Sequence, residues 1–209
     1  MRIKALTLAA ALVCTGAAHA ATIDWNTWQT TSSGSLGALT VGYSGENDGI
    51  RFDTQYTPTG SFADGSIVAN APTQANGILA LIGGDSTVNT ITFSKAVVNP
   101  VMAIWSLGQN GNQASFVFNN ATPMLVAGGP STQYQGSSLT VNGNTVFGTE
   151  GNGTVQFIGT FTSISWTNPV AENYYGFNVG VAAVPEPAEY GMLLIGLGAV
   201  GFMARRRRG

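Results

Sequence analysis

Thr90-Ile91-Thr92-Phe93, Phe161-Thr162-Ser163-Ile164-Ser165-Trp166 and Phe177-Asn178-Val179-Gly180-Val181 each contain apolar side chains at alternate positions. Neighbouring side chains of a strand point to opposite faces, so this period of two predicts strands with one buried and one wetted face. Residues 101–107 are more continuously apolar and are expected at the centre of a sheet. Further strands are expected over residues 36–43, 50–56, 115–118, 139–141 and 154–158. Turn signals separate these runs: Asn76-Gly77, Gly83-Gly84-Asp85, Asn110-Gly111, Asn142-Gly143 and Asn152-Gly153. Asn-Gly reaches positive φ cheaply, so residues 141–146 and 150–155 read as two successive hairpin corners. No stretch between 21 and 183 has a 3.6-residue apolar period, although 69–82 reads as a short helix or a long loop. Many short strands without alternating helices predict an all-β fold, an antiparallel β-sandwich or jelly roll. The absence of a clean internal repeat argues against a solenoid.

Outside this domain the composition changes. Residues 1–20 have the order of a secretory signal peptide: Arg2 and Lys4, an apolar run from 5 to 13, and Ala18-His19-Ala20 as an A-x-A site with cleavage before Ala21. Cys14 lacks the small preceding residue that lipidation favours, because Val13 stands there. Cys14 and His19 are the only cysteine and histidine, so the mature chain is expected to have neither. That excludes a Ser-His-Asp triad, a Cys-His pair and a thiolate zinc site. A serine-lysine dyad would need Lys95, in a strand-end context where Ser94 and Lys95 point to opposite faces.

The region 21–183 carries Arg51 and Lys95 against Asp24, Glu46, Asp48, Asp53, Asp64, Asp85, Glu150 and Glu172, a net of -6. Such a surface repels phosphate backbones, so no nucleic-acid partner is expected. Its size suits one domain, and its recurring tryptophans, phenylalanines and β-branched residues mark it as folded. Trp105 and Trp166 are assigned to the core.

Three chemistries remain for the domain. Aromatic faces near amides suit carbohydrate, and Trp25, Trp28, Tyr134, Tyr174 and Tyr175 are the candidates because they adjoin polar loops or the domain edge. Glu46-Asn47-Asp48-Gly49, reaching on to Asp53, is the densest oxygen cluster, hence the calcium candidate Glu46, Asp48 and Asp53 in a calcium-stabilised, lectin-like module. Glu150 and Glu172 are the pair a glycoside hydrolase would require. The favoured reading assigns no catalytic residue and no cofactor. Asn152-Gly153-Thr154 matches an N-glycosylation acceptor but reads as a turn.

The tail 184–209 joins Val184-Pro185-Glu186-Pro187, an apolar run from 190 to 204, and Arg205-Arg206-Arg207-Arg208. The prolines hold their segment extended and out of any helix. Fifteen helical residues would span about 22 Å, short of the roughly 30 Å hydrocarbon core. The glycines at 191, 196, 198 and 201 weaken that helix, and the arginines keep its end cytoplasmic, which suits a brief anchor.

This order resembles the PEP-CTERM protein-sorting signal of Gram-negative bacteria, through Pro185-Glu186-Pro187, Leu193-Leu194-x-Gly196-Leu197 and the arginines. The resemblance implies recognition by an exosortase, a membrane cysteine protease-transpeptidase, with cleavage near Pro-Glu-Pro. It also implies a location at the cell surface or in the extracellular matrix, and a link to exopolysaccharide and biofilm. The expected partners are therefore the export machinery, signal peptidase, the exosortase, the inner membrane transiently, and exopolysaccharide. The precursor is expected to carry a signal helix and a C-terminal transmembrane helix around the β domain.

Overall fold

The computed structural model describes residues 20–53, 56–183, 195–197, 200 and 203. Among the described residues, sixteen strands form two sheets. In chain order they are β1 (Ile23–Trp25), β2 (Thr27–Thr30), β3 (Ser33–Leu36), β4 (Leu39–Ser44), β5 (Ile50–Arg51), β6 (Ile78–Leu81), β7 (Asn89–Val98) and β8 (Val101–Leu107). There follow β9 (Ala114–Phe118), β10 (Pro123–Gly128), β11 (Ser137–Ser138), β12 (Thr140–Asn142), β13 (Thr145–Gly148), β14 (Gly151–Phe157), β15 (Thr160–Thr167) and β16 (Tyr175–Ala182). One sheet runs β10-β14-β8-β16-β6-β5, with β1 beside β16 and β11 beside β14. The other runs β12-β13-β9-β15-β7-β4-β3-β2. Every pairing between these strands is antiparallel except the short β11–β14 contact, and the fold is an all-β sandwich.

The alternating segments supply the inner faces. Ile91, Phe93, Ile164 and Trp166 from one sheet meet Met102, Ile104, Phe177 and Val179 from the other in a single core. Aromatic rings dominate it: Trp166 lies 5.1 Å from Phe177 and 5.7 Å from Phe116, and Trp28 lies 5.9 Å from Phe177. A chain of buried amides closes one end. The Tyr43 hydroxyl donates to Asn89 Oδ1 (2.7 Å), Asn89 Nδ2 to Asn168 Oδ1 (2.9 Å), and Trp166 Nε1 to the same oxygen (2.9 Å). These bonds satisfy polar groups that would be costly to bury alone.

β8 is central, as its apolar run predicts, and both of its faces are buried. Met102, Ile104 and Leu107 face the main core, while Val101, Ala103 and Trp105 face a second one with Ile23, Trp25, Tyr56, Phe62 and Val68. The chain between β5 and β6 supplies several members of this second core, which gives the outer face of the sheet an irregular third layer.

Several local expectations are corrected. Residues 36–43 are no single strand but the end of β3, a turn at Gly37-Ala38, and β4. Of the described residues in 50–56, only Ile50–Arg51 is strand, whereas 69–82 does include a short helix, the 3-10 turn Gln74–Asn76, and then enters β6 at Ile78. Asn142-Gly143 does close the β12–β13 hairpin, whereas Asn152-Gly153 lies within β14; the chain instead turns between the sheets at Thr149-Glu150. Asn152 is fully buried and accepts from the Ser106 amide at 2.9 Å. β16 buries both faces because its polar positions meet the irregular layer, with Asn178 Nδ2 donating to the carbonyls of Asn26 (2.9 Å) and Gly77 (2.7 Å). A Cβ on Gly176 would lie 2.2 Å from Ile78 Cγ2, so glycine there allows β6 to approach. Ser94, Lys95 and Ala96 fall where the β7–β15 register slips, inside β7 rather than at its end.

The signal segment 1–19, with Ala18, and the motif Val184-Pro185-Glu186-Pro187 with Arg205-Arg206-Arg207-Arg208 lie outside the described residues. Ile195, Leu197, Val200 and Met203 are helical and exposed. Among the described residues, no helix is long and apolar enough to cross a membrane.

Candidate functional site

Only part of the predicted aromatic set comes together. Trp28 and Tyr175 are sealed between the sheets at 2% and 1% exposure, so neither ring can stack on a ligand, which corrects their assignment. Trp25 is buried in the second core, with Nε1 donating to the Asn70 carbonyl at 2.9 Å. Tyr134 and Tyr174 do converge. Their rings lie 6.3 Å apart, and each is 5.3 Å from Trp105.

Tyr134 sits on a stapled loop between β10 and β11. Ser131 and Gln135 exchange backbone bonds of 2.6 and 2.9 Å, and Ser131 Oγ accepts the Tyr134 amide at 3.1 Å. Thr132 N donates to the Thr57 carbonyl (2.7 Å) and Ser61 Oγ to that of Pro130 (2.7 Å), tying the loop to the irregular layer. The tyrosine ring is thus held, yet Tyr134 remains 47% exposed. Beneath it Trp105 is buried, and its Nε1 has no hydrogen-bond partner among the described residues. The Arg51 guanidinium lies 5.7 Å from the centre of the Tyr174 ring and pairs with Asp48 at 2.5 Å.

Glu150 supplies the acidic wall. It accepts from Ser106 Oγ and borders a hollow of about 320 Å3 with Asn110, Tyr134, Gly136 and Thr149. Ser106, Gln135 and Glu150 have φ of 56°, 61° and 58°, three of the four non-glycine residues with positive φ among the described residues. Left-handed backbone at residues such as these stores strain of order 1–3 kcal/mol each, which concentrates at functional sites. A Cβ on Gly136 would lie 1.9 Å from the Glu150 carbonyl oxygen, so glycine is needed where this loop passes the acidic corner.

Glu172, the other half of the predicted catalytic pair, is 6% exposed and occupied. Its Oε2 accepts the Gly108 amide (3.0 Å) and its Oε1 the Tyr174 amide (3.1 Å), so it positions the Tyr174 backbone. Burial pushes its carboxyl up, the amides of Tyr174 and Gly108 pull it down, and the Glu150 charge raises it again; the balance is upward. Burial also raises Glu150 against the bond from Ser106, and raises Glu46 against the Gly83 amide with help from Asp85.

The calcium candidates are not gathered into a ligand set. Glu46 Oε1 accepts the Gly83 amide (2.8 Å), Asp48 pairs with Arg51, and Asp53 is exposed. Among the described residues, no group of three or more acidic, histidine or cysteine side chains could hold a metal ion.

The raised carboxyls set a pH dependence. Glu46, Glu150 and Glu172 bind protons more tightly folded than unfolded, so their contribution to stability is full below the ordinary value of 4.5 and lost as pH rises through their folded values. Thermal unfolding followed by circular dichroism should therefore give a higher Tm at pH 5 than at pH 7; a lower one would contradict this assignment. Asp64 acts below that window. Burial raises it, but bonds from Ser66 Oγ and the amides of Val68, Ile67 and Ser66 bring it down to about 2, so its contribution is lost only as pH falls from 3.8 through that value.

Trp105, Arg51, Ser106, Asn110 and Gly136 were not among the predicted site residues. The available signal for Trp105 was its parity in β8: it shares the face of Val101 and Ala103, opposite to Met102 and Ile104.

Residues 183–208 match the PEP-CTERM protein-sorting motif. The matched stretch contains Val184-Pro185-Glu186-Pro187 and the four arginines, and it begins at the residue after β16. It implies an exosortase as processing partner, export, and sorting to the cell surface. No curated protein and no solved structure matches the chain.

Proposed function

We propose that the chain is a non-catalytic surface or matrix protein whose sandwich domain is displayed after exosortase processing, in association with exopolysaccharide and biofilm. The observation that carries this reading is the junction at Ala183. The sorting motif starts there, while the Ala183 amide still donates to the Thr22 carbonyl at 2.8 Å. Folded domain and processing signal therefore adjoin without a linker.

The other end supports it. The expected signal cleavage precedes Ala21, whose amide donates to Ile67 (3.1 Å) and whose carbonyl accepts from Ala69 (2.9 Å). β1 lies antiparallel to β16 with Ile23 opposite Ala182, so both ends of the domain leave from one place. A precursor held in the inner membrane by signal and tail would hang from a single point. Against a carboxylate hydrolase stands Glu172, buried with both oxygens bonded to backbone amides. General acid-base work needs a carboxyl within reach of the substrate.

The test is the mass of the product in fractionated cells with and without the exosortase. With the enzyme, the product should lack residues 1–20 and the arginine-terminated tail and should leave the inner membrane. Without it, the tail should be retained there. A cytosolic chain with both ends uncut would refute the proposal.

A further inference from the structure

The geometry points to a saccharide-binding platform on this domain: Tyr134 offers its exposed ring beside Tyr174 and Trp105, and Glu150, Thr149 and Asn110 bind hydroxyls of a neutral hexose glycan in the hollow that Tyr134 lines. The inference takes its setting, though not its geometry, from the surface-display reading above.

Three independent features converge. First, a large amphipathic ring stands half-exposed on a loop that hydrogen bonds hold on both sides, rather than on a mobile tip. Rigid display lowers the ordering cost of binding. Second, the groups around the hollow match a polyol. Glu150 is a carboxylate acceptor, Asn110 an amide with donor and acceptor, and Thr149 a hydroxyl with both. A pyranose has apolar C–H faces that stack on rings and a rim of hydroxyls that bond to such groups. Third, the left-handed residues Ser106, Gln135 and Glu150 surround this one place. The backbone is strained where Glu150 is presented and where the tyrosine loop ends.

Charge selects the glycan class. Glu150 lines the hollow, and the nearby base, Arg51, is already paired with Asp48 beside Tyr174. The other base of the region 21–183, Lys95, lies on β7 in the opposite sheet. With a net charge of -6 over that region, anionic uronate or sulfated chains are repelled and uncharged hexoses are favoured.

The experiment applies the processed protein, and the full chain in detergent, to a printed array of neutral, acidic and amino-sugar glycans. Binding to neutral hexose glycans is expected, weakened about tenfold in Tyr134→Ala and retained in Tyr134→Phe, with circular dichroism showing both variants folded. Glu150→Gln should weaken binding less than loss of the ring. No signal on neutral glycans, a preference for acidic ones, or indifference to Tyr134→Ala would each overturn the inference. The two readings fail separately. A chain that is exported and cut but leaves the array blank removes the platform alone, whereas an uncut cytosolic chain that binds glycans removes the display reading alone.

Discussion

Trp166→Ala is expected to lower the unfolding free energy by about 4 kcal/mol, a large part of the roughly 5–15 kcal/mol that holds a domain folded. Trp166 is fully buried on the inner face of β15. Its ring lies 5.1 Å from Phe177, 5.7 Å from Phe116, 6.0 Å from Phe118 and 6.3 Å from Tyr43, so it touches both sheets. Truncation would leave a cavity that surrounding rings cannot fill without leaving their own contacts. It also removes one of the two donors that Asn168 Oδ1 accepts, in a chain of amides sealed from water, and leaves Asn89 Nδ2 as the other. Urea unfolding of the processed protein measures the loss. Val98→Ala, on a side chain 62% exposed, should cost less than about 0.5 kcal/mol and serves as control. A Trp166→Ala midpoint within error of the parent would show that the two sheets do not share this core.

The second large effect concerns the tail. With Pro185, Glu186 and Pro187 all changed to alanine, export should persist, while processing falls to background and full-tail protein collects in the inner membrane. Proline removes a backbone donor and biases the residue before it away from helix, so the sequence disfavours a helix at these positions. Alanine has the highest helix propensity, so the triple substitution invites the apolar run to continue its helix back towards the domain. Three residues separate Ala183 from Pro187, a reach of at most about 13 Å, so a cut at Pro-Glu-Pro would fall within that distance of the end of the domain. Immunoblots of membrane and external fractions decide the matter. Normal cleavage of the alanine variant would remove Pro-Glu-Pro from the recognition element.

These two residues groups also differ in how they could be read. The Pro-Glu-Pro element and its arginines form one contiguous string, legible without any fold. Trp166 was legible as core because its strand alternates and its neighbours are apolar. The candidate platform was only half legible. Tyr134 and Tyr174 were picked out by their polar neighbours, but so were Trp28 and Tyr175, and adjacent sequence could not tell which ring the fold would enclose. Glu150 and Glu172 were paired on chemistry alone; the fold gives Glu150 a place beside the hollow and gives Glu172 two backbone amides. Asn152-Gly153 favours a turn locally, whereas within β14 the Asn152 side chain bonds to the Ser106 amide and is buried.

From the linear order of residues alone came the all-β class, the central place of 101–107, the acidic balance of 21–183, and the sorting motif at the C-terminal end. Each depends on periodicity, composition or a contiguous motif, which are properties of neighbours along the chain. Tertiary structure decided which tyrosines face solvent, which carboxyl is tied down, and that Trp105 underlies Tyr134 and Tyr174. It also placed the two domain ends side by side. Those outcomes depend on contacts between residues tens of positions apart, and a side chain's burial is set by what packs over it, not by what precedes or follows it.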